Sequence, residues 1–287
     1  MIDLSDRISQ LRGGPDFSGV ISAADARQLA ADAGVEVLAL MTMLLPFAAE
    51  YARPPVSNFK VGAVARGLSG NLYFGTNLEF AGEALSFTVH AEQSSVTNAW
   101  MHGEEGIDRI AVTAAPCGYC RQFLNELATA ERLVVTMPAE TRSLAELLPS
   151  SFGPRDLGVE GGLMQHEHHA LAIDANAIDA TDAVARAALV AADMSYAPYS
   201  KSYAGVALRT RDGAVVAGAY AENAAFNPSL SPLEAALSQL NLAGHAFGEI
   251  AEAVLVHVDS MHTGATRTVL ATLPDVALRL VPARKLA

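Results

Sequence analysis

The sequence predicts an α/β protein built from one unit used twice. Three observations carry this. Through the first 150 residues, β-like runs alternate with helical patterns. A second stretch then repeats the first at a shift of 143 residues. Finally, 51% of the 287 residues are apolar while only 6% are aromatic, so Ala, Leu and Val supply the core. That balance favours helices packed on sheets over an all-β sandwich.

Residues 1–34 read as a small helical segment. Ser22, followed by Asp25, is an N-cap for ARQLAADAG, and Gly34 is its stop. A second helix covers about Val35 to Tyr51 and is broken by RPPVS. FKVGAVAR and NLYFGTNLE read as strands, and a helix runs from about Val89 to Trp100. RIAVTA is a strand, Cys117 opens a helix to about Ala130, and RLVVTM is another strand. These elements form a domain over 35–150. Residues 151–180 carry Gly, Pro and a QHEHH cluster with weak periodicity, and read as a linker.

Residues 181–287 restart the pattern. The 143-residue shift pairs Ser57 with Ser200, Pro55 with Pro198, Gly62 with Gly205 and Glu79 with Glu222. With one residue deleted, HAEQSSV aligns on PLEAALS, pairing Glu92 with Glu234 and His90 with Pro232. The second copy has no cysteine, so it is a degenerate, non-catalytic repeat.

The net charge is −12, with no Lys/Arg run. Such a chain repels phosphate backbones and is not expected to bind a nucleic acid polymer. The start, MIDLSDRISQ, lacks the basic and apolar regions of a signal peptide. The longest apolar run, VLALMTMLLPF, is about half a membrane span and contains Pro46. The expectation is a cytoplasmic protein with no membrane partner.

The chemistry concentrates in HAEQ at 90 and PCGYC at 116. The chain's two cysteines, Cys117 and Cys120, sit in the second motif. One imidazole and two thiolates suit zinc, and three protein ligands leave a tetrahedral position open for catalysis. Pro116 places Cys117 at a helix start, where N–H groups stabilise a thiolate. Arg121 is a candidate donor to a ligand sulfur. Glu92 lies beside the metal without needing to be a ligand, and can move protons. Other readings remain: a redox C-x-x-C, or a structural zinc with His102 as fourth ligand. His166, His168 and His169 read as a solvated cluster rather than a second metal site.

These motifs together resemble the larger, homodimeric class of bacterial cytidine deaminase. H-x-E…P-C-x-x-C marks the broad zinc nucleobase deaminases. SNFKVGAVARG, YFGTNLEF, PCGYCRQFLNEL, FGPRDL and YAENAAFNP extend the resemblance over nearly the whole chain. It implies duplicated three-layer α-β-α domains with mixed central sheets. It implies one Zn²⁺ per chain on His90, Cys117 and Cys120, with Glu92 as proton shuttle. Asn77 and Glu79 would bind the ribose hydroxyl, Phe59 would pack on the pyrimidine, and the Ala91 backbone would contact the base. The reaction implied is hydrolysis of free cytidine and deoxycytidine to uridine and deoxyuridine. Zinc-activated hydroxide would attack C4, while Glu92 protonates N3 and then the leaving amino group. A homodimer with sites near the interface follows, with Phe152 closing a site and Glu222 and Glu234 as structural relics. Ala115 departs from the Ser or Thr of many relatives. Two alternatives stand beside this reading: a zinc deaminase for another nucleobase, nucleotide or analogue, and a non-catalytic zinc-binding scaffold.

Overall fold

The structure is a computed structural model that describes residues 4–14, 17–165, 167–173 and 181–286. The chain opens with helix α1 (Leu4–Arg12), a two-residue strand β1 (Val20–Ile21) and helix α2 (Ala23–Ala33). The Ser22 side chain caps α2 by accepting from the Asp25 N–H, and Gly34 ends it at φ 70°. Both signals were legible locally. Strand β1 was not, because its two residues gain their extended form only by pairing with a later strand.

Helix α3 (Val37–Ala49) is followed by β2 (Gly62–Gly67) and β3 (Leu72–Thr76). Then come α4 (Ala91–Met101), β4 (Ile107–Val112), α5 (Gly118–Leu124), β5 (Val134–Thr136), β6 (Thr141–Ser143) and α6 (Leu144–Leu147). The sheet order is β1-β3-β2-β4-β5-β6, with β4 and β5 parallel and the other neighbours antiparallel.

The second half contains β7 (Leu171–Ile173), α7 (Ala183–Asp193), β8 (Ala204–Thr210) and β9 (Val215–Ala219). It continues with α8 (Pro232–Leu242), β10 (Ile250–His257), α9 (Thr263–Leu270) and β11 (Ala277–Lys285). Its sheet runs β7-β11-β10-β8-β9, again with one parallel pair, β10 and β11. The order β3-β2-β4-β5 is thus repeated as β9-β8-β10-β11.

Each unit is an α-β-α sandwich. Helices α3 and α7 cover the outer faces of the two sheets, while α4 and α8 cover the inner faces and pack on each other. One apolar core therefore runs through both units, joining Trp100 and Val96 to Leu237 and Leu240. Gly62 and Gly205 are paired for a reason: a Cβ at Gly62 would sit 2.6 Å from the Leu45 carbonyl, and one at Gly205 would sit 2.4 Å from the Ala188 carbonyl. Only glycine lets the outer helix approach its strand so closely.

The structure corrects the repeat register. Bridges join Arg53 to Leu78 and Tyr196 to Ala221, at a shift of 143. Bridges Leu78 to Val89 and Ala221 to Leu230 then move the second partner by 141. The deletion is of two residues, not one. His90 caps α4 as Ser231 caps α8, so Ser231 rather than Pro232 replaces the histidine. Glu234 matches Gln93, and Leu233 stands where the first unit has Glu92.

Two further expectations change. Helix α5 ends at Leu124 instead of Ala130, because Glu126 and Ala128 exchange backbone hydrogen bonds with Leu163. The expected linker therefore packs: Leu163 and Met164 are buried, and β7 extends the second sheet. Residues 166 and 174–180 of that segment lie outside the described residues. His169 is buried rather than solvated, with Nε2 2.6 Å from the Ser195 carbonyl and its ring stacked on Tyr203. His168 stays exposed beside Asp193, and His166 lies outside the described residues. No single helix among the described residues is long and apolar enough to cross a membrane.

Candidate metal centre and active site

Two helix starts converge on one point. His90 is the N-cap of α4 and Cys117 the N-cap of α5, with Cys120 one turn further on. His90 is held from behind: its N–H donates to Gln93 Oε1 at 3.1 Å, and Gln93 Nε2 donates to the Pro228 carbonyl. The Tyr119 ring stacks on the imidazole with centroids 5.1 Å apart. The Cys117 sulfur accepts from the Cys120 N–H at 3.5 Å, as the free donors of a first helical turn allow.

The three ligand atoms lie within about 0.2 Å of the spacing zinc requires. His90 Nδ1 is 3.7 Å from the Cys117 sulfur and 3.3 Å from the Cys120 sulfur, and the sulfurs are 3.6 Å apart. Tetrahedral bonds of about 2.3 Å to sulfur and about 2.0–2.1 Å to nitrogen would separate such atoms by roughly 3.5–3.8 Å. The donor set therefore fits zinc in both chemistry and spacing. Cys120 is buried and Cys117 exposed, so the cluster is closed behind and open in front.

The electrostatics agree. The Cys117 thiol is lowered to about 3, first by the Cys120 hydrogen bond and then by His90. Cys120 is pushed up by its bond to Cys117 and by burial. Both sulfurs bind a metal as thiolates, so metal binding displaces their protons. Glu92 is buried, and its carboxyl rises above the usual range through loss of solvation while it contacts the Cys120 thiol. A carboxyl with raised proton affinity beside a metal is suited to proton transfer.

Of the remaining expected site residues, Asn77 and Glu79 flank Leu78, which bridges to Val89, the residue before His90. Asn77 Oδ1 accepts from the Val61 N–H and its Nδ2 donates to the Phe59 carbonyl. Glu79 accepts from the Val56 and Ser57 N–H groups and the Ser57 hydroxyl. Both side chains thus build the 56–61 loop, at whose tip Phe59 is 59% exposed. Ala91 is buried as the first residue of α4.

Other expectations are redirected. Arg121 donates to the Pro116 and Leu147 carbonyls, pinning the chain before Cys117 rather than a ligand sulfur. His102 Nε2 lies 3.0 Å from the Ser18 hydroxyl, and its Nδ1 2.8 Å from the Asn98 carbonyl. It is not in the metal cluster, which removes the fourth ligand of the structural-zinc reading. Among the described residues, His90, Cys117 and Cys120 are the group that can hold a metal ion. Tyr119 and Gln93 escaped sequence reasoning, although both lie inside the motifs. Their roles depend on ring stacking and a contact 135 residues away.

Comparison with known proteins matches both units. Residues 36–137 and 144–269 each fit the cytidine and deoxycytidylate deaminase zinc-binding region. A cytidine deaminase of Vibrio parahaemolyticus is 46% identical over 283 residues, 97% of this chain and 94% of that one. One of Photobacterium profundum is 46% identical over 286 residues, 98% and 95% of the two chains. A solved cytidine deaminase of Burkholderia pseudomallei is 32% identical, covering 40% of this chain and 98% of its own, at a TM-score of 0.36. With two units that match the deaminase zinc-binding region, one of which carries a fitting donor set, and near full-length relatives, this chain belongs to the zinc-dependent cytidine deaminases, hydrolases of nucleoside metabolism.

Proposed function

We propose that this chain hydrolyses free cytidine and deoxycytidine to the uracil nucleosides, with His90, Cys117 and Cys120 holding one zinc and Glu92 moving the protons. The observation that carries this is the tetrahedral spacing of three ligand atoms beside a buried carboxyl. Zinc, when bound, supplies Lewis acidity that brings the ionisation of water towards neutral pH. The protein supplies the rest. Glu92 takes the proton that water releases as its oxygen bonds to C4 and delivers it to N3 of the pyrimidine; it then takes the proton of the hydroxyl now on C4 and passes it to the amino group, so that the C4–N bond breaks, the C4 carbonyl forms and ammonia leaves. Water and cytidine are consumed; uridine and ammonia are formed. Burial of Glu92 raises its proton affinity and suits it to hold that proton between steps.

Asn77 and Glu79 form the ribose end of the site through the loop they hold together. The exposed Phe59 ring packs on the pyrimidine, and the Ala91 backbone contacts the base. Phe59, Phe152 and Phe226 present their rings to solvent in the single chain, which supports burial against a second copy in a homodimer. Two free cysteines suit the reducing cytoplasm.

The test is the ultraviolet absorbance of cytidine with purified protein, with and without a zinc chelator. Conversion that stops on metal removal and returns with zinc is the expected result. No conversion by folded, zinc-loaded protein would overturn the reading.

A further inference from the structure

We propose that the second unit positions the cysteine-bearing helix through Glu126, which makes Tyr196, Tyr199 and the retained Glu222 positioning residues of the metal centre. The inference rests on the reading that Cys117 and Cys120 hold zinc.

Glu126 lies two residues beyond α5 and is fully buried. Its Oε1 accepts from the hydroxyls of Tyr196 at 2.9 Å and Tyr199 at 2.5 Å, and its Oε2 accepts from the Ala224 N–H at 2.8 Å. All three donors belong to the second unit. A buried carboxylate stripped of donors is strongly disfavoured, so these bonds hold the end of α5 tightly. A second tie lies nearer the cysteines: Asn223 Nδ2 donates to the Gln122 carbonyl at 3.0 Å. Gln122 and Asn125 also donate to the Phe152 carbonyl, at 2.7 and 3.1 Å.

Tyr199 explains why Glu222 persists without a metal. Glu222 accepts the N–H groups of Tyr199 and Ser200 at 2.8 and 3.1 Å, as Glu79 accepts those of Val56 and Ser57. At the position of exposed Val56, the second unit carries a tyrosine whose hydroxyl reaches Glu126. The chain of contacts runs from Glu222 through Tyr199 to Glu126 and so to α5. That helix is seven residues long. At ~1.5 Å rise per residue it is a rod of roughly 10 Å, so a tilt of about 6° at its far end moves its start by about 1 Å. Metal ligand distances tolerate only about 0.2 Å. The anchor thus controls where the two sulfurs stand.

The experiment uses full-length, zinc-loaded protein carrying Tyr199→Phe, alone and with Tyr196→Phe, and a control, Val206→Ala, in the core of the second unit. Two quantities are read at a temperature where all are folded: zinc release to a chromogenic chelator, and hydrogen exchange of amides 118–126. The expected result is release about tenfold faster in the double variant, within the range for residues that orient ligands. Exchange in 118–126 should rise while β10 stays protected, and Val206→Ala should release zinc at the wild-type rate. Should the double variant not fold, Tyr199→Phe alone carries the test with the same expectation. Wild-type release from the tyrosine variants, or equal acceleration in Val206→Ala, would overturn the inference. Failure of the underlying ligand reading looks different: Cys120→Ala would keep one zinc per chain.

Discussion

Glu79 and Glu222 close the same loop in the two units. Each accepts two consecutive backbone N–H groups, from Val56 and Ser57 or from Tyr199 and Ser200. The turn after each has a non-glycine residue at positive φ, Asn58 at 56° and Lys201 at 60°. Removing the Glu79 carboxylate strands two N–H groups and a hydroxyl. Glu79→Ala should lower stability by about 1–3 kcal/mol and raise KM for cytidine, read from urea unfolding and steady-state rates. Burial opposes its ionisation, yet the Ser57 hydroxyl and the two N–H groups hold the carboxyl below the usual range. Its stabilising effect is therefore present above the unfolded value of 4.5 and is lost as pH falls through the folded value. Part of the acid-side loss of stability should vanish in the variant.

Glu92→Gln separates metal binding from proton transfer. The amide fills the same buried space and cannot carry the proton. Zinc should stay at one per chain by metal analysis, while the rate of cytidine loss falls by about 10²–10⁴-fold. Full activity in the variant would remove Glu92 from the mechanism.

Gly75 and Gly218 each let an inner helix touch its sheet. A Cβ at Gly75 would lie 2.2 Å from the Ser95 N–H and 2.3 Å from the Ala91 carbonyl; one at Gly218 would lie 2.1 Å from the Ala236 N–H. Alanine at either site should cost about 1–3 kcal/mol through forced backbone shifts. The Gly75→Ala clash falls directly on α4 at Ala91, the residue after His90, whereas the Gly218→Ala clash falls on α8. Gly75→Ala should lose zinc, whereas folded Gly218→Ala should retain it. Metal analysis beside thermal melts decides between the two.

Glu234 is buried at the start of α8, and loss of solvation lifts its carboxyl to about 7. The folded state therefore holds a proton that the unfolded state, near 4.5, releases first. Its contribution is fully present below the unfolded value and is lost as pH rises through the folded one. Glu234→Gln should flatten the fall in stability between pH 4.5 and about 7, measured by urea midpoints across that window.

The cluster that can hold a metal was legible because each of its two halves is local. His90 and the C-x-x-C pair occupy helix caps, and a cap is defined by the few residues on either side of it. The α2 cap at Ser22 was readable for the same reason. Asn77 and Glu79 stood out as residue types, but their bonds into the 56–61 loop needed coordinates. Periodicity was of little use in α4, whose buried residues include Gln93, Ser94, Ser95, Thr97 and Asn98. A helix covered on both sides can bury polar groups if partners wait there, as Ser238 does for Ser94 at 2.7 Å.

The sequence by itself determined the reaction class, the metal and the duplication, since each is written in short motifs and their recurrence. Only the tertiary structure decided the two-residue register that puts Ser231, not Pro232, in the place of His90. It also decided that the expected linker supplies a strand and that His169 is buried. Above all, it brought Glu126 to donors 70, 73 and 98 residues away. Such contacts leave no local trace, because the burial that makes them strong exists only once both units are packed.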